Sequence, residues 1–314
     1  MLRSLLRIAV AVLALAALGF GALAYALRQP VLIADTWRGT VHADPSELEK
    51  HVRFLTEDAR PRAGANLARA ARYIESRFRA AGGRTSSQKF GTYENVITEF
   101  GPDRGAVLVI GAHYDAFSET GPLPGADDNA SGTAGLLELA RLLGESHVQH
   151  RIMLVAYANE EPPFFGSELM GSAIHAQSLE GTDVRGMICL EMIGYFSEQQ
   201  TWPNPLFAAI YPNRGDFIGV AGGWSDRRLA RAVKRAMSGA SDLAVVSFSG
   251  PRETSDASDH RNYWSHGWPA VMITDTAFLR NPNYHTSRDT AATLDYRRMA
   301  RVVDGVWNAA TGVR

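Results

Sequence analysis

One cysteine stands in 314 residues. Cys189 alone excludes an internal disulfide and any paired-cysteine metal knuckle. Its neighbours Met187, Ile188 and Leu190 are apolar, which makes it a buried thiol. Charge imbalance is absent as well: the formal net charge is −1, so the chain lacks the basic footprint of nucleic-acid binding. There is no internal repeat, and no low-complexity tract beyond the N-terminal span. What is present is apolar bulk, 46% of residues. That supports a sizeable core, excludes global disorder, and at this length suits one large α/β domain or two small ones.

Charge is also missing from Ile8 to Leu27, twenty apolar or small residues preceded by Arg3 and Arg7 and followed by Arg28. Twenty such residues cross a bilayer as a helix. The basic N-terminal flank keeps the start of the chain in the cytoplasm and sends the body across. A cleaved signal peptide is the rival reading, because Ala24-Tyr25-Ala26 has the small-x-small pattern. Either way the body is expected outside the cytoplasm, membrane-anchored or exported. No cysteine lies directly after the run, so a lipoprotein anchor is excluded. The expected organisation is an anchor or signal over 1–30, a linker over 31–43 and one catalytic domain over 44–314.

Asp44-Pro45-Ser46-Glu47 reads as a helix start, with Asp44 as cap, Pro45 in the first turn and Glu47 completing a capping box. Leu67, Ala70, Ile74 and Phe78 recur at helical spacing, and Gly82-Gly83 ends that helix. Residues 84–90 and 93–100 read as an antiparallel pair around Gly91 at a sheet edge. Ala106 to Ala112, Ile152 to Ala158 and Met187 to Leu190 are continuous apolar runs, as in strands buried on both faces. Ala244 to Phe248 and Ala270 to Ile273 are further strands. Helices are expected over 131–143, 167–179, 226–237 and 294–310. Residues 195–216, with three prolines among aromatics, read as a long loop over the site. This alternation predicts a three-layer αβα fold with a mostly parallel, mixed central sheet, the N-terminal hydrophobic helix lying outside it.

In such sheets ligands gather at the carboxyl ends of strands, and the chemistry-bearing residues converge there. His113 and Asp115 close one strand. Asp127 and Asp128 follow in the glycine-flanked turn Gly125–Gly132. Glu160 and Glu161 follow a second strand, Glu191 a third, and His285 lies in the loop after a fourth. Neutral imidazole and carboxylate are the donors of zinc-like ions. Asp115 can hold the ring of His113. Of an adjacent pair such as Glu160-Glu161, one carboxylate can ligate while the other handles a proton. A carboxylate at Glu191, between Leu190 and Met192, is costly unless paired or metal-bound. Structurally satisfied side chains are the competing reading for each residue alone. His42, His51, His147, His150 and His175 are read as surface or packing residues, and His260 as near the site without ligating. Asn129-Ala130-Ser131 formally matches a glycosylation sequon, but in a catalytic turn it is not expected to be modified.

The ordered set His113-Tyr114-Asp115, Asp127 in its turn, Glu160-Glu161, Glu191-Met192, Ser258-Asp259-His260 and Tyr284-His285 resembles the M28 family of zinc aminopeptidases, over residues 107–290. That resemblance implies two zinc ions per chain. Asp127 would bridge them, with His113 and Glu191 completing one site and Glu161 and His285 the other. It also implies Glu160 as general base, Asp115 orienting His113, a tyrosine hydroxyl at Tyr284 near the oxyanion, and peptide substrates cleaved from the N-terminus. Glu191 departs from the aspartate of the best-known members. The alternatives are a single-zinc glutaminyl cyclase and a non-catalytic protease-like ectodomain.

Overall fold

The structure is a computed structural model that describes residues 2–58, 60, 64–117 and 123–312. Its helices are α1 (Leu2–Arg28), α2 (Pro45–Thr56), α3 (Ala65–Ala80), α4 (Gly132–Gly144), α5 (Gly171–Ser178), α6 (Pro205–Ile210), α7 (Arg227–Ser238), α8 (His260–Ser265) and α9 (Tyr296–Gly312). Its strands are β1 (Arg84–Phe90), β2 (Tyr93–Phe100), β3 (Val107–His113), β4 (Arg151–Tyr157), β5 (Val184–Leu190), β6 (Phe217–Gly223), β7 (Ala244–Gly250) and β8 (Ala270–Thr274). They form one sheet in the order β1-β2-β4-β3-β5-β8-β6-β7. β4, β3, β5 and β8 run parallel. The β1–β2 hairpin joins antiparallel at one edge, and β6 is antiparallel to β8 at the other side.

Side-chain alternation along β3 shows why the sheet lies between two helical layers. Leu108, Ile110 and Ala112 enter the larger core with α2, α3, α4, α7 and α9, whereas Val107 and Val109 enter the second with α5 and α8. Residues before α2 pack on the same body: Trp37 lies 5.1 Å from Trp307, and the Ala43 amide donates to Asp304 at 2.8 Å. Asp44 caps α2 by accepting from the Ser46 amide. The expected return bond from Glu47 is not made. The Asp44 amide donates instead to Glu138 at 2.6 Å, and Glu47 pairs with Lys50.

Residues 217–223 add a strand, β6, that no sequence pattern announces, and one expectation is corrected. Residues 195–216 leave the site rather than covering it. After the bridge between Ser197 and Gly215, they carry α6 to the β7 edge, where Trp202, Phe207 and Tyr211 pack with Phe217, Phe248 and the α1 residues Ala24 and Leu27. Aromatic mass between prolines served a satellite core, not a lid.

Candidate metal centre

The parallel strands deliver their last residues to one place. His113 ends β3, Glu160 and Glu161 follow β4, Glu191 follows β5, and His285 sits in the loop after β8. Between them lies the turn 126–131. Gly125 enters it at φ 57°, and a Cβ there would meet the Asp128 carbonyl oxygen at 2.4 Å. Gly132 leaves it so close to β5 that a Cβ would lie 2.5 Å from the Leu190 oxygen. Glycine at both ends lets the turn press its carboxylates inward.

Asp128, not the expected Asp127, stands between the imidazoles. His113 Nε2 lies 3.4 Å from Asp128 Oδ1, and His285 Nε2 lies 3.0 Å from Asp128 Oδ2. Asp127 points the other way. Its Oδ1 accepts from the Gly194 amide at 3.0 Å and its Oδ2 from Asn281 Nδ2 at 2.8 Å. Consecutive residues in this turn face opposite sides, and the Gly194 and Asn281 donors claim the first carboxylate. Around Asp128 two sets of donors form. His113 Nε2 is 3.3 Å from Glu191 Oε2, and His285 Nε2 is 3.7 Å from Glu161 Oε2. Glu160 Oε2 lies 3.8 Å from His113 Nε2.

These distances fit a cation. A tetrahedral zinc ion with bonds of about 2.1 Å separates its ligand atoms by roughly 3.4 Å, and the spacings at 3.0–3.7 Å bracket that value. Among the described residues Glu161 Oε1 is buried without a hydrogen-bond partner, an expensive state unless an ion takes it.

Five carboxylates, Asp115, Asp128, Glu160, Glu161 and Glu191, surround two imidazoles, and the protonation of the site reflects that excess. Burial alone would make His285 less basic, but Asp128 and Glu161 push it up to about 10. His113 is likewise raised against its burial, chiefly by Glu191 and Glu160. Asp128 is held well below the usual carboxylate range because the two imidazoles outweigh its burial. Glu161 is pushed up to about 7 by burial and then by Asp128. Glu160 is raised well above its ordinary value by burial, with Glu161 and Glu191 adding to the effect and His113 opposing it.

A second layer holds the donors. The Asp115 carboxylate accepts from the amides of Glu160 and Glu161, both at 3.2 Å, and lies 3.5 Å from His113 Nδ1. Ser258 Oγ donates to Glu191 Oε2 at 2.6 Å. Asp289 accepts from the amides of Asp127 and Asp128 at 2.9 and 3.1 Å. Fully buried Arg60 donates to the carbonyls of Tyr114, Pro124 and Gly125 at 2.8–3.0 Å, and also to that of Leu55. Sequence reasoning missed Arg60, Ser258 and Asp289 in these roles; only Ser258 stood in a recognised motif. His260 turns from the centre, with Nε2 on the Ser255 carbonyl at 2.6 Å. Tyr284 stacks on His285 at 3.8 Å, its phenol raised by burial and by the surrounding carboxylates.

Paired imidazoles sharing a carboxylate at the carboxyl ends of parallel strands define the site of a metallohydrolase on an αβα scaffold. The chain belongs to Peptidase family M28, whose model matches residues 95–310 and thus both imidazoles and all five carboxylates of the centre, though not Arg60. It is 50% identical over 282 residues, 84% of this chain and 87% of the relative, to the uncharacterized protein YfbL of Escherichia coli (strain K12). It is 26% identical over 204 residues to leucine aminopeptidase 1 of Ajellomyces capsulatus (strain H88), covering 61% of this chain and 49% of that enzyme. The chain therefore spans about half the length of that aminopeptidase. The LapA aminopeptidase of Legionella pneumophila matches in structure with a TM-score of 0.70 at 23% identity, over 85% of this chain and 71% of that one. The glutaminyl cyclase of Porphyromonas gingivalis matches with 0.68 at 18%, over 86% and 98%. These two likenesses show the fold.

Proposed function

We propose that the chain is a two-zinc aminopeptidase. The observation that carries this is Asp128, whose two oxygens face two separate imidazoles, each with its own glutamate. His113, Glu191 and Asp128 would hold one ion; His285, Glu161 and Asp128 would hold the other. When bound, such a pair acidifies a water and polarises a carbonyl. The rest falls to side chains of this protein. Glu160, which lies 3.8 Å from His113 beside Glu191 and is not needed to complete either set, takes a proton from the attacking water while the oxygen bonds to the peptide carbon. It then returns that proton to the departing amine as the C–N bond breaks. Asp115, gripping both glutamate amides, keeps the base and its neighbour in register. The residual negative charge receives the substrate's α-ammonium group, which favours removal of N-terminal residues.

The glutaminyl-cyclase reading needs one ion; the second complete donor set argues for hydrolysis. The apolar helix supports a membrane anchor with the body outside the cytoplasm. Residues 3–23 are exposed along α1, while Ala24 and Leu27 pack in the aromatic cluster and Gln29 is buried with its amide on Ser249. Cleavage after Ala26 would remove part of that packing.

The test is Glu160→Gln, assayed on aminoacyl-arylamides and N-blocked peptides with a chelator control. Turnover is expected to vanish while two metal ions per chain remain and the blocked peptides stay intact even with the wild type. Near-normal activity in the variant would remove Glu160 as base. Cyclised products from glutamine peptides, read by mass spectrometry, would favour the cyclase.

A further inference from the structure

We infer that the cleft between the end of α1 and the start of α7 binds the headgroup of an anionic phospholipid. The inference rests on the reading of α1 as an uncleaved membrane span.

The depth of the cleft follows from the helix. A hydrocarbon core of about 30 Å takes about 20 residues at 1.5 Å each. The uncharged run Ile8–Leu27 fills it, so Arg28 and Gln29 emerge among the headgroups, with Tyr25 one turn earlier at the hydrocarbon boundary. At that level lies a cleft of about 480 Å³ lined by Tyr25, Gln29, Trp224, Arg227, Arg228 and Arg231, within the size range of small-molecule sites. All three arginines are exposed. Among the described residues no ion pair engages them, whereas Arg235 on the same helix pairs with Asp35. The nearest acid in sequence, Asp226, is buried and taken by Arg252 at 2.9 Å. Burial and the positive charges of Arg28 and Arg231 push the Lys234 amine down to about 8, so the local field is positive.

The other features are those of a membrane interface. Trp224 and Tyr25 are 41% and 58% exposed beside the arginines, as aromatic residues are at the headgroup level. The cleft also has a fixed height. Lys234 Nζ donates to the carbonyls of Arg28 and Gln29 at 2.6 and 3.3 Å, closing the last turn of α1 onto α7. The helix that crosses the bilayer and the helix that carries the arginines are therefore one rigid corner. A phosphodiester in the cleft would meet guanidinium donors on one side and the indole and phenol on the other.

The experiment uses the full chain in nanodiscs of phosphatidylglycerol and phosphatidylcholine in equal parts, with co-retained lipid counted by native mass spectrometry after release. The wild type is expected to retain phosphatidylglycerol in preference, at about fivefold per engaged arginine. The R227Q/R228Q/R231Q variant should lose the preference while keeping its thermal midpoint and peptidase rate, and the triple lysine variant should retain most of it. No preference in the wild type, an undiminished preference in the glutamine variant, or its abolition by inorganic phosphate alone would overturn the inference. Carbonate washing of membranes separates the two readings. A wild-type chain that washes out removes the anchor and this site with it; a retained chain without preference removes this site alone.

Discussion

Asp128→Asn and Asp127→Asn are isosteric changes at neighbouring positions, and the structure assigns them opposite consequences. Asp128 offers one oxygen to each imidazole-containing set, at 3.4 and 3.0 Å from the two ring nitrogens. Protein zinc sites bind with about 10–16 kcal/mol shared among four donors, or about 3 kcal/mol each. One lost donor would therefore weaken an ion by roughly 100-fold, and an amide at 128 would strike both ions of the proposed pair. Asp127 is bonded to Gly194 and Asn281, and burial followed by Asp275 raises its pKa well above normal. An amide there keeps one of the two accepting oxygens and loses the other, so the expected cost is about 1 kcal/mol of stability and less than tenfold in metal affinity. The assay is metal content per chain by plasma mass spectrometry, after dialysis against chelator-buffered zinc, alongside turnover of an aminoacyl-arylamide. An Asp127→Asn protein that loses both ions while Asp128→Asn keeps them would refute the assignment of the shared carboxylate.

Ser258→Ala removes the hydroxyl on Glu191 and should weaken metal binding by about 10- to 100-fold, read by the same dialysis. Arg60→Met strips donors from four carbonyls around the turn and should cost about 3 kcal/mol or more in urea unfolding; an unchanged midpoint would show that the clamp is dispensable. Burial holds three imidazoles neutral: His51 is pushed down to about 4, His175 to about 3 and His260 to about 4. The unfolded chain protonates them below about pH 6.5 and the fold does not, so acid favours unfolding. Each should cost about 2 kcal/mol by pH 5, the loss continuing until the folded pKa is reached. His51→Gln should flatten the fall in stability between pH 6.5 and 4, measured by denaturant titration; an unaltered slope would contradict the buried neutral state.

The fold was legible where burial left a simple trace. Ala106–Ala112 and Ile152–Ala158 are continuous apolar runs and became β3 and β4; the Gly91 turn marked the edge hairpin. β6 left no such trace. Its Gly219 lies under the Phe248 ring, where a Cβ would meet carbon at 2.4 Å, and Gly222 and Gly223 complete a strand with little side chain to read. The donors announced themselves through strand ends. Asp127 and Asp128 could not be told apart, because adjacent positions in a turn differ only in direction, and direction is set by Gly194, Asn281 and Asp289 from distant parts of the chain. Arg60 was invisible for the same reason: its four acceptors are backbone atoms.

With α1 read as a membrane span, the Lys234 clasp on its last carbonyls turns a leash into a bracket. The outermost strand β7, where that bracket attaches, is four strand spacings from β3, or about 19 Å at about 4.8 Å each. A catalyst on a loose tether sweeps a volume; one bolted at its rim works at a fixed station. Polypeptide ends would have to come to that station, and an extended chain needs about six residues to span the gap. Length of free amino-terminal tail, as much as side-chain identity, would then decide what this hydrolase can reach.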